Sequence, residues 1–188
     1  MRIEDHIMPE CFADTLFIET VAPPKQGGYN HKKSCFKVES EFVNRNNYRG
    51  RFIDNWAIGI IDNDKKTIKY LEECKTIDKL GNSLYLFRHS DPNKHHYFIV
   101  LSPDLEYFIF DICKEENIEL SSHNLPVKIN KFKDITRTMV SKNNPNLKSL
   151  FTQLNKSKNA KILRIKHWLN FISQNGFNVD INKLNFEN

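Results

Sequence analysis

The sequence predicts a three-layer α/β protein, with a Rossmann-like sheet in residues 1–125 and a small C-terminal helical extension in residues 126–188. Three observations predict it. Apolar segments alternate between the two-residue period of strands and the 3.6-residue period of helices, in the order β-α-β-α-β-β-α. Residues 56–61 form a nearly unbroken apolar run, the pattern of a strand buried on both faces. From about residue 131 the pattern turns helical, broken by Asn-rich turns. At 188 residues the chain is long enough for one substantial core.

Residues 13–21 read as the first strand, because Leu16, Ile18 and Thr20 alternate with Phe17 and Glu19 before Pro23-Pro24 ends the run. Glu19 then sits near that strand's C-terminal end. After the Gly27-Gly28 turn, Cys35, Val38 and Phe42 recur at helical spacing within residues 30–46, with Asn30 as N-cap and His31, Lys32 and Lys33 in the first turn. Cations there oppose the helix dipole and suggest an anionic partner. The strand ending at Asp62 follows, and then Ile68, Leu71 and Cys74 keep a helix-like stripe to residue 78, closed by Gly81-Asn82. Residues 83–87 and 96–101 are extended candidates around a turn at Asp91-Pro92-Asn93. Ser102-Pro103-Asp104 has the hydroxyl cap, proline and acid of a helix start. The helix it opens turns Leu105, Ile109, Ile112 and Cys113 inward and carries Glu106 in its first turn. Three further helices are predicted over residues 131–140, 147–154 and 160–175. The last has Ile162, Ile165, Trp168, Leu169 and Ile172 on one stripe.

Composition narrows the function classes. Hydrophobic content of 39% and aromatic content of 12%, with both charge signs present, mark a globular chain. A net charge of +5 permits contact with nucleic acid without demanding it. Cys11, Cys35, Cys74 and Cys113 form no C-x-x-C pair, so neither a zinc ribbon nor a redox motif is indicated. The amino terminus lacks the apolar core of a signal peptide, and no run approaches the roughly 20 apolar residues of a membrane span. A cytoplasmic location away from membranes follows as the expectation. No P-loop, G-x-G-x-x-G or H-E-x-x-H occurs, so ATP hydrolysis, dinucleotide oxidoreduction and metalloprotease chemistry lack support.

The chemistry centres on Asp62 and Asp64, which end the apolar strand two residues apart and so point the same way. Open α/β sheets place ligands at that end, and two close carboxylates repel unless a cation lies between them. Mg²⁺ or Mn²⁺ is the expected cofactor, since such ions take carboxylate and phosphate oxygens. The inert alternative is a hairpin joining residues 58–61 to 67–71, because Asp-Asn-Asp is also turn composition. His31, Lys32, Lys65 and Arg88 are the candidates for holding phosphate, Arg by paired hydrogen bonds and Lys as a point charge.

Over residues 13–116 the chain resembles the TOPRIM superfamily, the metal-dependent domain of topoisomerases, bacterial primases and related nucleases. Ala13-Asp14-Thr15-Leu16-Phe17-Ile18-Glu19 is similar to the family's first strand with its glutamate, and Ile60-Ile61-Asp62-Asn63-Asp64 to its Asp-x-Asp strand. Residues 101–109, Leu-Ser-Pro-Asp-Leu-Glu-Tyr-Phe-Ile, resemble a strand-to-helix motif of small TOPRIM-like proteins from phage-defence neighbourhoods. The resemblance implies Glu19 as general acid or base, Asp62 and Asp64 as metal ligands and Glu106 as an accessory acid at the metal. It also implies a nuclease-like activity on phosphodiesters. The alternative is a non-catalytic module that binds nucleic acid, or docks a partner protein through its C-terminal helices, in a defence or mobile-element system. Two positions depart from the family: Thr20 replaces the glycine after the glutamate, and Lys65-Lys66-Thr67 carries no glycine after the acids.

Overall fold

Three parallel strands and an antiparallel hairpin make one mixed sheet in a computed structural model that describes residues 2–46, 56–63 and 68–184. The parallel strands are β1 (Ile7–Pro9), β2 (Ala57–Asp62) and β5 (His96–Leu101), and the hairpin is β3 (Cys74–Leu80) with β4 (Leu84–His89). Their order is β1-β2-β5-β4-β3, with β4 antiparallel to both its neighbours. The register pairs Pro9 with Ile60 and Asp62 with Leu101, so β1, β2 and β5 end at one edge. Among the described residues there are six α-helices: α1 (Phe12–Val21), α2 (Cys35–Asn46), α3 (Leu105–Glu115), α4 (Ile129–Thr136), α5 (Pro145–Lys156) and α6 (Ala160–Asn175).

Alternation along β2 assigns the layers. Ile58 and Ile60 face a large core shared with Phe17 of α1, Phe108 of α3, Phe132 of α4, Phe151 of α5 and Trp168 of α6. Ala57 and Ile61 face a smaller core with Val38 and Phe42 of α2. Gly59 lies on that second face, where an added Cβ would meet the Phe98 ring at 2.8 Å and Val38 at 2.9 Å. The fold is therefore mixed α/β with helices on both sheet faces, most of them on one. Residues 126–184 supply part of the same core, and ion pairs bind them to the sheet layer. Arg164 meets Asp78 of β3 at 2.5 Å, and the Trp168 indole N–H donates to the same carboxylate at 3.1 Å. No helix among the described residues is long and apolar enough to cross a membrane.

Several elements differ from expectation. Residues 13–21 are helical, because Cys11 and Asp14 close a capping box; most of the run is buried and its polar residues are spread around the helix, so a two-residue alternation could be read into it. The strand that precedes it, β1, has only three residues, too few to show a period. α2 starts at Cys35 rather than after Asn30. Instead Asn30 and Lys32 donate main-chain bonds to Ile7 and Pro9 and cover the free edge of β1. The stripe in residues 68–78 resolves into a 3₁₀ turn and β3, with Gly81 at φ +61° in the tight turn to β4. Because β2 is flanked by β1 and β5, both parallel to it, the hairpin alternative for residues 58–71 does not form. The N-cap of α3 is Asp104, whose side chain accepts from the Tyr107 N–H, and Pro103 stands outside the helix in a cis peptide.

Candidate functional site

A cleft of about 430 Å³ opens where β1, β2 and β5 end. Glu10 follows β1, its N–H bonded to the Ile60 carbonyl and its Oε2 accepting from the Asp62 N–H at 3.2 Å. Asp62 ends β2 on the face of Ile58 and Ile60, toward the larger core. Its Oδ1 accepts the Leu105 N–H at 2.9 Å, so a side chain of β2 satisfies a free donor at the start of α3. Asp104 and Glu106 come from that same helix start. Positive dipole density at the N-terminus of α3 favours carboxylates there, which is the local reason these acids can share the space.

The cluster's electrostatics are dominated by burial and mutual repulsion. Asp14 is 1% exposed; its Oδ2 accepts from the Cys11 N–H, while its Oδ1 has no hydrogen-bond partner. Burial, reinforced by Glu10 and Glu106 against the pull of the Cys11 hydrogen bonds, pushes its carboxyl up to about 7. The Asp62 pKa is raised well above its ordinary value by burial and then by Asp14, Glu10, Glu106 and Asp104. Glu106 is raised mainly by burial and also by Asp104, although the Thr136 hydroxyl donates to its Oε1. Asp104 meets Lys133 at 2.5 Å, and that ammonium lies 4.6 Å from the Tyr107 ring centre.

Cations and rings border the acids. Phe12 and His31 stack with centroids 4.0 Å apart at 23°, and both line the cleft. The Thr15 hydroxyl donates its one proton to the Cys11 carbonyl at 2.7 Å, so its 3.1 Å contact with His31 Nδ1 makes Nδ1 the protonated nitrogen. Burial lowers the His31 pKa, aided by Lys142, Lys33 and Lys32, and the ring is neutral at pH 7 with its lone pair on Nε2. Lys33 and Arg137 line the cleft, exposed and without a carboxylate partner among the described residues.

Among the predicted site residues, the fold gathers Asp62, Glu106 and His31 at this cleft. Glu19 lies elsewhere, some 10 Å along the axis of α1 from Phe12 at 1.5 Å per residue. There its Oε1 accepts the Tyr29 N–H and meets Lys142 at 3.5 Å, fastening the Gly28 turn. Lys32 points to the other face and pairs with Glu41 at 2.9 Å. Arg88 is buried on β4 beside Tyr97, at the sheet end opposite Asp62, donating to the Pro92 carbonyl. Asp64 and Lys65 fall outside the described residues. Glu10 and Arg137 were not singled out by the sequence, Lys33 was read only as one of three first-turn cations suggesting an anionic partner, and Asp14 and Asp104 were read only as parts of a strand and a helix start. The available signals were the apolar Ile7-Met8-Pro9 ahead of Glu10 and the three-residue spacing of Cys11 and Asp14.

Among the described residues, no three His, Cys, Asp or Glu side chains are gathered closely enough to hold a metal by themselves. The donor set nonetheless suits a hard dication, since every acid lining the cleft offers oxygen. Mg²⁺ commonly uses one or two carboxylates and takes the rest of its shell from water and phosphate. Comparison of the chain with protein-family models, curated proteins and solved structures returns no match.

Proposed function

We propose that the cleft binds Mg²⁺ or Mn²⁺ and acts on phosphodiesters, with hydrolysis of nucleic acid as the reaction. The observation that supports this reading is the meeting of Glu10, Asp62, Asp104 and Glu106 from two parallel strand ends and one helix start. Carboxylates held together against burial and repulsion are stabilised by a dication, and few other ligands would offset that cost. The TOPRIM resemblance fits if Glu10, rather than Glu19, is the glutamate that ends the first strand beside the Asp62 strand.

When bound, the cation would neutralise phosphate charge and lower the pKa of a coordinated water. Asp62 and Glu10 would hold it, with Glu106 near by. The Leu105 N–H orients Asp62 and the Asp62 N–H orients Glu10, so neither carboxylate is free to swing. Burial raises the Glu106 pKa, the direction a general acid at a leaving oxygen needs. Lys33 and Arg137 would hold the phosphate in place of Lys32 and Arg88.

Calorimetric titration with Mg²⁺ and Mn²⁺ tests the reading. Binding to the wild type and its loss in Asp62→Asn and Glu10→Gln are expected. Equal heats in all three proteins would remove the cation and the nuclease with it. Assays over single- and double-stranded DNA and RNA then separate hydrolysis from a non-catalytic binding module. The C-terminal helices favour the enzyme over partner docking, because α5 and α6 bury Leu150, Phe151, Ile165 and Trp168 inside this protein.

A further inference from the structure

The geometry points to an unpaired nucleic-acid strand as the ligand of this cleft, with one base lying against Phe12 and Met139 and flanking phosphates held by Lys33 and Arg137. The inference rests on the reading of the cleft as a phosphodiester site and adds the substrate class.

Four observations carry it. Phe12 is only partly buried and lines the cleft, backed by the His31 ring at 4.0 Å, so it presents a rigid apolar face whose orientation is already fixed. Met139 lines the same cleft and is 77% exposed, with Val140 beside it at 69%. Large apolar side chains left in water at the mouth of an acidic site mark contact with something that has an apolar face, and a polarizable thioether suits an aromatic one. Lys33 and Arg137 supply the charge to track a phosphate backbone, and without it the four carboxylates would repel any polyanion. Finally, 430 Å³ falls near the small end of ligand sites, room for one nucleotide. Stacked bases of a duplex cannot reach a ring set inside such a cleft without leaving the helix.

Fluorescence anisotropy with labelled oligothymidylate, oligouridylate and a blunt duplex of equal length tests this, in EDTA and again with Ca²⁺. Both single strands should bind at least about ten-fold tighter than the duplex, and Phe12→Ala should weaken them roughly ten-fold, as loss of one stacked base does. Met139→Ala and Arg137→Ala alter exposed side chains and leave the core untouched. The first should weaken single strands about three-fold, and the second should lower the salt slope by about 0.7. A preference for oligouridylate over oligothymidylate would assign the strand as RNA. Equal affinity for duplex and single strand, no binding of either, or Phe12→Ala and Met139→Ala proteins that bind like wild type would overturn the inference. The calorimetric test is separate: single-strand binding that depends on Phe12 without cation uptake would leave a strand-binding cleft and remove only the metal chemistry.

Discussion

Replacing Asp14 by Asn should stabilise the metal-free protein, and by an amount that grows with pH in a definite window. Asp14 titrates near 3.8 when unfolded and near 7 when folded, because burial and the neighbouring Glu10 and Glu106 disfavour its charge. The folded state therefore holds a proton that the unfolded state has released, and stability contributed by this group is lost as pH rises from about 4 to about 7. A gap of about 3 pH units corresponds to about 4 kcal/mol once both states are ionised. Asn cannot ionise, has nearly the same shape, and its amide oxygen can still accept the Cys11 N–H that Asp14 Oδ2 accepts. The stability difference between variant and wild type should therefore lie near zero at pH 3, reach about 2 kcal/mol at pH 5.5 and level off near 4 kcal/mol above pH 7.5. Urea unfolding followed by the fluorescence of buried Trp56 and Trp168 measures it at each pH. A difference that stays flat from pH 4 to 8, or a wild type more stable than the variant at pH 8, would refute the assigned repulsion. Repeating the series with saturating Mg²⁺ should shrink the gap, since a dication among these acids offsets the same charge.

Two substitutions test the frame that holds the site. Arg164→Leu leaves Asp78, which is mostly buried, with the Trp168 indole N–H and the Lys79 main-chain N–H but no ion pair, and should cost about 3 kcal/mol in urea unfolding; a loss below about 1 kcal/mol would show the pair to be dispensable. Gly59→Ala places a methyl 2.8 Å from the Phe98 ring and 2.9 Å from Val38, and should cost about 1–3 kcal/mol by forcing α2 from β2; an unchanged urea midpoint would show that the layer gives way freely.

How far the chain could be read before its fold was known depends on which signals are local. The buried strand at residues 57–62 and the strand at residues 96–101 were legible because a central parallel strand must be apolar on both faces. α6 was legible in full, because its Asn159 cap, 3.6-residue stripe and Gly176 all agree. Residues 13–21 were not, since the helix is buried over most of its surface and its few polar residues, Asp14, Thr15, Glu19 and Thr20, are spread around it, so its period is hidden. That single misreading moved the first-strand acid nine positions along the chain, from Glu10 to Glu19. Asp62 was found because it ends a long apolar run. Glu10 was missed because β1 is three residues long, and an acid after so short a strand looks like any surface acid. Lys33 was legible only as one cation of a group of three, and its place at the cleft, like that of Arg137, depends on long-range placement that no local pattern encodes.

The acids are placed by the architecture more than by their own contacts. Strands β1, β2 and β5 run parallel, so each must be followed by chain that leaves the sheet at the same edge, and whatever residue turns that corner joins the others. Two of those corners open helices, α1 through Cys11 and Asp14 and α3 through Asp104, and helix starts favour acids as caps. Capping alone would account for Asp14 and Asp104. It does not account for Glu10, which follows a strand and accepts the Asp62 N–H at the cleft, or for Glu106, which is buried in the first turn of α3 and accepts the Thr136 hydroxyl. Apolar residues at these two positions would relieve the repulsion that raises the Asp62 pKa, while removing the acceptors of the Asp62 N–H and the Thr136 hydroxyl. Acids that repel one another at a single sheet edge are best explained by what enters the cleft. The cation proposed for Glu10 and Asp62 gives them that role.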